Sequence, residues 1–207
     1  MARKDYFDAA CPEKWQILGV QLRPFSFGHY LKLRHFNCAF VADKSASPTL
    51  GDLLIGIAVC SMSSNPDPCK DEFWAWWNQP ATKSIFATLF RKLPMTPAER
   101  QIVKWGKQIG EFDLAEKAKL FADYIRSHTE APAYWVLEEK GSGKTGAHWS
   151  QATITGLVTQ CNYTQVEAYN VPMNKALHDY LKAAEESGAI RLMTEEEVKF
   201  TEAANGA

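Results

Sequence analysis

The amino-acid sequence predicts an all-α fold, or a mainly α fold with one short extended segment near residues 133–140, arranged as an irregular multi-helix bundle. Helix capping boxes are the first observation behind this prediction. In each box a Thr is followed three residues later by a Glu, and the two side chains bond the unpaired N–H groups of a first helical turn. The boxes are Thr96/Glu99, Thr164/Glu167 and Thr194/Glu197, with Asp113/Glu116 as a close variant. The second observation is that apolar residues at helical spacing follow the first three boxes.

Composition excludes several classes of protein. The chain has 207 residues, of which 46% are hydrophobic, and this is enough to bury a core. A net charge of −1 provides no bulk attraction to nucleic acid or to membranes. The five cysteines form no CxxC pair, so free thiols in a reducing cytosol are expected. The N-terminus lacks an apolar signal core, and the longest apolar run is shorter than the roughly 20 residues that a membrane span needs.

Proline, glycine and capping residues bound the helices of the first half. Pro12 suits the first turn of a short helix that Gly19 ends. Ser26 and Thr49 cap the next two helices, and apolar spacing predicts a buried face on the second of them. The predicted helices cover residues 11–18, 26–36, 50–62, 70–79 and 81–93. The expected buried face consists of Leu53, Leu54, Ile57, Ala58 and Cys60.

The same signals continue in the second half. Pro172 stops one helix and starts the next, which Gly188 ends, and an acidic last helix follows Thr194. The predicted helices cover residues 97–110, 114–127, 148–162, 164–170 and 172–187, and the stretch from 194 onwards. The segment 131–140 has strand-forming residues but no obvious partner strand.

Three regions follow from these elements. Residues 1–130 form the main helical domain, and residues 131–147 form an extended linker or a small hairpin with a Gly-rich turn. Residues 148–207 form a C-terminal helical segment, which we expect to pack on the main domain.

The segment Gly141-Ser142-Gly143-Lys144-Thr145 looks like the end of a phosphate-binding loop, GxxxxGK[ST]. The first glycine of that motif should stand at position 138, which is Glu138, and Glu139 adds further negative charge. The alternating strands of a nucleotide-binding sheet are also missing from the predicted elements. We therefore expect a Gly-rich surface loop that does not bind ATP.

No catalytic or metal-binding constellation stands out in the sequence. His29 and His35 lie six residues apart, too far for a ligand pair on one helix face, so a metal site that combines them with Cys38 has weak support. No serine lies in a GxSxG turn. The sequence thus predicts a protein that is not an enzyme and has no metal or other cofactor. Cys–His catalysis remains open, since such partners meet in space rather than in sequence.

The helix over 70–79 is denser in aromatic residues than a core helix needs. At helical pitch Phe73, Trp76 and Trp77 share an arc of about 100°, and Trp74 widens it to about 160°. So wide a stripe packs against two neighbours, or against one neighbour and a binding partner. Core packing is the commoner arrangement for tryptophan. Because Trp is enriched in binding hot spots, these four residues are the partner-binding candidates, with Trp74 towards the partner and Trp76 and Trp77 towards the core.

A basic run lies between positions 83 and 107 and includes a single acid, Glu99. Its members are Lys83, Arg91, Lys92, Arg100, Lys104 and Lys107. A solvated face is the favoured interpretation, and contact with an acidic partner or with nucleic acid is the alternative.

Two blocks of the sequence resemble a known family. The first covers residues 15–41 and 50–61 and contains Leu-Arg-Pro-Phe-Ser-x-Gly-His, followed by Asp-Leu-Leu and a helix ending in Cys-Ser. The second covers residues 154–197, where a capped helix leads into Pro172 and an alanine-rich helix. Both blocks are similar to small helical proteins encoded in the morphogenesis modules of tailed bacteriophages, whose assigned role is commonly that of a tail assembly chaperone. Residues 62–150 carry no such resemblance.

The resemblance implies a non-enzymatic protein of the bacterial host cytoplasm that binds the tape-measure protein, the tail-tube subunits or both during viral tail assembly. It implies neither a membrane nor a nucleic-acid partner. A structural protein of the virion, from the tail or the head-to-tail region, is the first alternative. A small nucleotide-binding protein that uses the GSGKT loop is the second.

Overall fold

The computed structural model describes residues 13–42, 47–80, 95–110, 113–137 and 148–205. The chain is mainly helical: helix accounts for 59% of the described residues, and two short two-stranded sheets accompany the helices. The helices are α1 (Phe27–His35), α2 (Leu50–Cys60), α3 (Glu72–Trp77), α4 (Pro97–Gly106), α5 (Asp113–Thr129), α6 (Trp149–Gln160), α7 (Gln165–Asn170), α8 (Met173–Glu186) and α9 (Glu195–Asn205). The strands are β1 (Trp15–Ile17), β2 (Val20–Leu22), β3 (Tyr134–Val136) and β4 (Ile190–Leu192).

Strands β1 and β2 form an antiparallel hairpin where the sequence predicts the helix 11–18, so that prediction is wrong. Leu18 and Gly19 adopt φ values of 52° and 73° between the strands, which are the left-handed conformations of a two-residue type I′ loop. Ile17 and Leu22, the last residues of β1 and β2, are both buried. Three alternating residues are too short a pattern to distinguish such a strand from a helical turn.

The other predicted helices within the described residues are confirmed, and the Thr–Glu capping boxes predicted from the sequence start three of them. Thr96 and Thr164 both form the expected reciprocal bonds with the Glu three residues later. Thr194 does the same, because its N–H donates to the Glu197 carboxylate at 2.9 Å. Asp113 instead lies inside helix α5, and its carboxylate accepts the Gly110 N–H at 3.3 Å. The predicted helix 81–93 and the GSGKT loop lie outside the described residues.

Helix α2 forms the centre of the core. Its Leu53, Leu54, Ile57, Ala58 and Cys60 are all buried, as predicted. Helices α1, α4 and α5 contact α2 directly. The core therefore forms around the most apolar helix of the chain.

The C-terminal helices contribute to the same hydrophobic cluster, through Leu157, Ala168 and Ala176. At the junction with α1, the N–H of Met173 donates to the carbonyl of Phe25 at 2.8 Å. Residues that are far apart in the sequence thus meet beside α1.

The predicted extended segment contains β3, and β4 is its partner strand. Strand β4 follows helix α8, which ends as predicted with Gly188 at a φ of 77°. The prediction of an all-α fold is therefore wrong, because the structure contains two small sheets. The alternative prediction of a mainly α fold is confirmed.

Candidate partner-binding site

Helix α3 carries the four predicted partner-binding residues, and Asp71 fixes the point where it begins. One carboxylate oxygen of Asp71 accepts the Trp74 N–H at 3.1 Å, which caps the first turn. The other oxygen accepts the Asn65 N–H at 2.8 Å. One buried side chain therefore holds both the helix start and the loop before it.

Lys32, on helix α1, forms an ion pair with that buried carboxylate. Its Nζ lies 2.7 Å from Asp71 Oδ2, and the two side chains are 7% and 0% exposed. The same ammonium donates to Ser64 Oγ at 3.0 Å. Burial lowers the pKa of Lys32, and the hydrogen bond and charge of Asp71 oppose that shift. Either charge would be costly to bury without the other, so the pair holds the start of α3 against α1.

The loop between α2 and α3 is held from two further sides. Asn170 receives the Ser64 N–H at 2.8 Å on its side-chain oxygen and donates from its side-chain nitrogen to the Ser64 carbonyl. On the α1 side, Gly28 leaves space for this loop, since a Cβ there would lie 2.3 Å from the Ser64 Cβ. The polypeptide that leads into α3 is therefore fixed by α1 and α7 together.

His29 is buried beside this loop and serves the fold. Its Nδ1 accepts the Ser26 N–H at 3.3 Å, so Nε2 carries the proton and donates to the Met62 carbonyl at 2.8 Å. Burial lowers the pKa of His29 to about 4, mainly because the charged imidazolium would lose its hydration. A neutral ring with both nitrogens bonded within the protein has no free position for a metal ion.

The aromatic residues form one continuous cluster around Phe73. The Phe73 ring stacks on Trp77, with centroids 5.7 Å apart and planes at 19°, and meets the edge of Trp74 at 5.2 Å. Phe36 of the α1 C-terminus stacks on Trp74 at 5.7 Å and 27°. His35 completes the group by an edge contact with Trp74 at 5.3 Å. These contacts hold the side chains in defined orientations.

The burial of the four predicted residues differs from what the sequence predicts. Phe73 is fully buried, whereas Trp74, Trp76 and Trp77 are all half-buried and pack against the outside of the core. The expected contrast between an outward Trp74 and inward Trp76 and Trp77 is therefore absent. Phe73 supplies the core contact, and each tryptophan leaves part of its ring at the surface. We refer to these three residues as the tryptophan surface.

The described side chains that could bind a metal ion or act as nucleophiles form no reactive site. Across the described ranges, no group of three or more His, Cys, Asp or Glu side chains is arranged to hold a metal ion. Burial raises the pKa of Cys38 to about 12 and also raises the pKa of Cys60. Both thiols are therefore weak nucleophiles at neutral pH.

A polar cluster between α8 and the loop that joins α6 to α7 was not foreseen, although Lys175 and Asp179 stand at helical i, i+4 spacing. Lys175 Nζ lies 2.6 Å from both the Asp179 carboxylate and the Tyr163 hydroxyl, and that hydroxyl donates to Asp179. Burial and the bond to Asp179 raise the pKa of Tyr163. A tyrosine with a raised pKa keeps its proton at neutral pH and is a poor acid, so the cluster serves to hold the loop between α6 and α7 against α8.

Half of the basic run is described. Arg100, Lys104 and Lys107 are exposed on α4 or just after it, as a solvated face requires. Lys83, Arg91 and Lys92 lie outside the described residues.

Comparisons with known proteins add no assignment to this geometry. No protein-family model, no curated protein and no solved structure matches the chain. No helix in the ranges that the structure describes is long and apolar enough to cross a membrane.

Proposed function

We propose that this protein is a non-enzymatic binding protein of the tail assembly chaperone type, acting in the bacterial host cytoplasm on the tape-measure protein, the tail-tube subunits or both. The tryptophan surface is the observation that supports the proposal. The resemblance of the two sequence blocks to phage morphogenesis proteins supplies the class of partner. In this proposal an irregular multi-helix bundle serves as a rigid frame for that surface.

The arrangement suits binding because the frame fixes the aromatic side chains before a partner arrives. Side chains that are already ordered lose little conformational entropy on association, so more of the contact energy appears as affinity. Tryptophan combines a large apolar area with an N–H donor, and it is the residue most enriched in binding hot spots.

The tryptophan surface is compatible with the class of partner that the resemblance supplies. A long helical chain such as a tape-measure protein presents apolar stripes at i, i+3, i+4 and i+7, and aromatic surfaces bind such stripes. Shielding them before the tail tube polymerises would keep the partner soluble. The near-neutral charge of this protein, −1, opposes neither an acidic nor a basic helix.

Co-expression with the tape-measure and tail-tube proteins of the same phage tests the proposal. Affinity capture of this protein should recover at least one of them, and Trp76→Ala should weaken the recovery. Phe200→Ala is the matched control, because Phe200 is the most exposed aromatic among the residues that the structure describes, at 77%, and lies on α9.

Purified virions separate the proposal from its main alternative. A chaperone is absent from the finished particle, whereas a structural tail or head-to-tail protein is present at fixed copy number. Detection of the protein in virions at stoichiometric amounts would contradict the chaperone role.

A further inference from the structure

Helix α4 contacts α3, the helix that carries the tryptophan surface, and one side of α4 is basic. Arg100, Lys104 and Lys107 are exposed on α4 or at its end. At helical pitch these three residues fall within an arc of about 60°. Ala98 and Trp105 are buried on the other side of the helix, so the basic arc faces away from the core. We refer to Arg100, Lys104 and Lys107 as the basic stripe.

The basic stripe has little negative charge within its own helix. Glu99 is the only acid of α4, and its carboxylate accepts the Thr96 N–H at 2.7 Å in the capping box. Within the described residues, Lys104 and Lys107 form no ion pair. Exposed charges act on one another over a Debye length of about 8–10 Å in physiological salt. The stripe therefore attracts a negatively charged group that comes close to α4.

The border of the tryptophan surface beside α1 is also basic. The ring of His35 meets one of the tryptophans edge-on, with centroids 5.3 Å apart, and Arg34 next to it is exposed. The exposed acid of α3, Glu72, is already engaged, because its carboxylate accepts the Ser63 N–H at 2.7 Å and lies 3.8 Å from Arg23. Basic side chains thus predominate around the tryptophan rings.

A helix that lies on the tryptophan surface also reaches α4. Packed helices lie about 8–10 Å apart, and a helix with its side chains is about 10–12 Å wide. Val103, 43% exposed on α4 next to the basic stripe, offers a further apolar contact to such a helix. Acidic residues beside the apolar face of the partner would then meet Lys104 and Lys107, whereas basic residues there would meet like charge.

We infer that the partner segment bound at the tryptophan surface is an acidic amphipathic helix, whose Glu and Asp side chains face the basic stripe. This inference rests on the proposed function, because it names the kind of segment that the same surface selects. Charges at the rim of an interface mainly raise the association rate and exclude partners of the wrong charge. The tryptophan rings thus provide affinity, and the stripe provides selectivity.

Two other occupants fit less well. Nucleic-acid binding usually needs a larger basic area than three residues on a protein of net charge −1. A second copy of this chain offers α9 as its most acidic helix, but among the described residues of α9 the only exposed large apolar side chain is Phe200. One such side chain does not form the apolar face that the tryptophan surface binds.

Association rates of designed helical peptides with the full-length protein test this inference. The three peptides have about 20 residues each, enough for an isolated helix, and carry Leu at i, i+3, i+4 and i+7. Their flanking positions are all Glu, all Gln or all Lys. At low salt the Glu peptide should bind saturably and associate at least about tenfold faster than the Lys peptide, with the Gln peptide between them. Added salt should reduce this difference. Absent binding of the Glu peptide, or equal rates for the Glu and Lys peptides, would overturn the inference.

Two double substitutions locate the charge effect. Lys104→Gln/Lys107→Gln should slow association of the Glu peptide about fivefold or more and leave its dissociation rate nearly unchanged. Lys119→Gln/Lys199→Gln is the matched control, because it removes the same charge from two exposed lysines on α5 and α9 and should associate as the wild type does. Equal slowing by both double variants would show that only net charge matters, and the stripe would have no role.

Tryptophan variants separate this inference from the proposed function. Trp76→Ala, with Trp74→Ala as a second variant, should raise the dissociation rate of the Glu peptide at least about tenfold. If these variants weaken peptide binding but the Glu and Lys peptides associate equally fast, the inference fails and the proposed function stands. If Glu is preferred but neither variant changes the dissociation rate, the tryptophan surface is not the site and both fail.

The competing occupants give their own results. Displacement of the Glu peptide by single-stranded DNA from the wild type, but not from the tryptophan variants, would assign the tryptophan surface to nucleic acid. Self-association of the wild type that Trp76→Ala abolishes would show that a second copy covers the tryptophan surface. Either result would contradict the inference.

Discussion

The Nζ atom of Lys32 and the Oδ2 atom of Asp71 lie 2.7 Å apart where solvent barely reaches either side chain. The same carboxylate accepts the Trp74 N–H at the start of the aromatic helix. Through this pair, helix α1 determines where the tryptophan surface begins. The stability of the pair and the binding role of the surface are therefore linked, and they can be tested separately.

Loss of one member of the pair should be costly. Lys32→Met leaves the Asp71 carboxylate buried without its counter-charge, and such a change lowers the free energy of unfolding by roughly 3–5 kcal/mol. Urea denaturation at pH 7.5 measures the effect. The control is Lys182→Met, which removes the exposed partner of Glu185 and should leave the urea midpoint almost unchanged. Equal midpoints for the two variants would show that the buried pair does not hold the helix.

His29 should make stability depend on pH. Its pKa is about 4 in the folded protein, against an ordinary value of 6.5, so between these values the unfolded state binds more protons. Stability is therefore fully present above about pH 6.5 and falls as the pH drops towards 4, by up to about 3 kcal/mol. Urea midpoints measured from pH 7.5 to 4.5 follow the loss. His29→Gln should flatten the curve in that window, and an unchanged slope would refute the assignment to His29.

Two glycines of helix α2 should respond in opposite ways to alanine. A Cβ at Gly56 would lie 2.6 Å from the buried Phe121 ring, so Gly56→Ala should destabilise the protein by about 1–3 kcal/mol. At Gly51 the nearest atom is 3.6 Å away, and Gly51→Ala should stabilise by about 0.5–1 kcal/mol through helix propensity. Thermal melting of both variants measures the difference. Similar shifts in one direction would contradict the described contact between α2 and α5.

Local signals explain which parts of the fold could be predicted. The boxes at Thr96, Thr164 and Thr194 act within a single turn, so the sequence alone determines them. The β1–β2 hairpin could not be predicted, because each of its strands has only three residues. Its turn also has Leu18 at a positive φ, a position where Gly or Asn usually marks a hairpin turn. Strand β4 could not be predicted either, because it is equally short and its partner strand β3 is distant in the sequence.

The candidate site was only half predictable for a related reason. The aromatic density of helix α3 is visible in the sequence, and so is its wide stripe. Lys32, by contrast, lies within a short helix rich in basic residues, where a lysine normally indicates a solvated face. Its pairing with Asp71 depends on how the loop between α2 and α3 folds against α1. Phe73 is buried while the three tryptophans are only half-buried, and this difference depends on Phe36. Only the tertiary structure brings Phe36 against the aromatic helix.

Partner affinity, measured on variants of the tryptophan surface, decides whether this surface binds. Isothermal titration with a helical fragment of the tape-measure protein would compare the wild type with Trp74→Ala, Trp76→Ala and Phe200→Ala, each checked for folding by its melting temperature. We expect both tryptophan variants to fold and to lose about 2 kcal/mol or more of binding free energy, roughly thirtyfold in affinity, while Phe200→Ala binds normally. If the tryptophan variants bind as tightly as Phe200→Ala, the proposed binding role is wrong, and the aromatic helix is only part of the core.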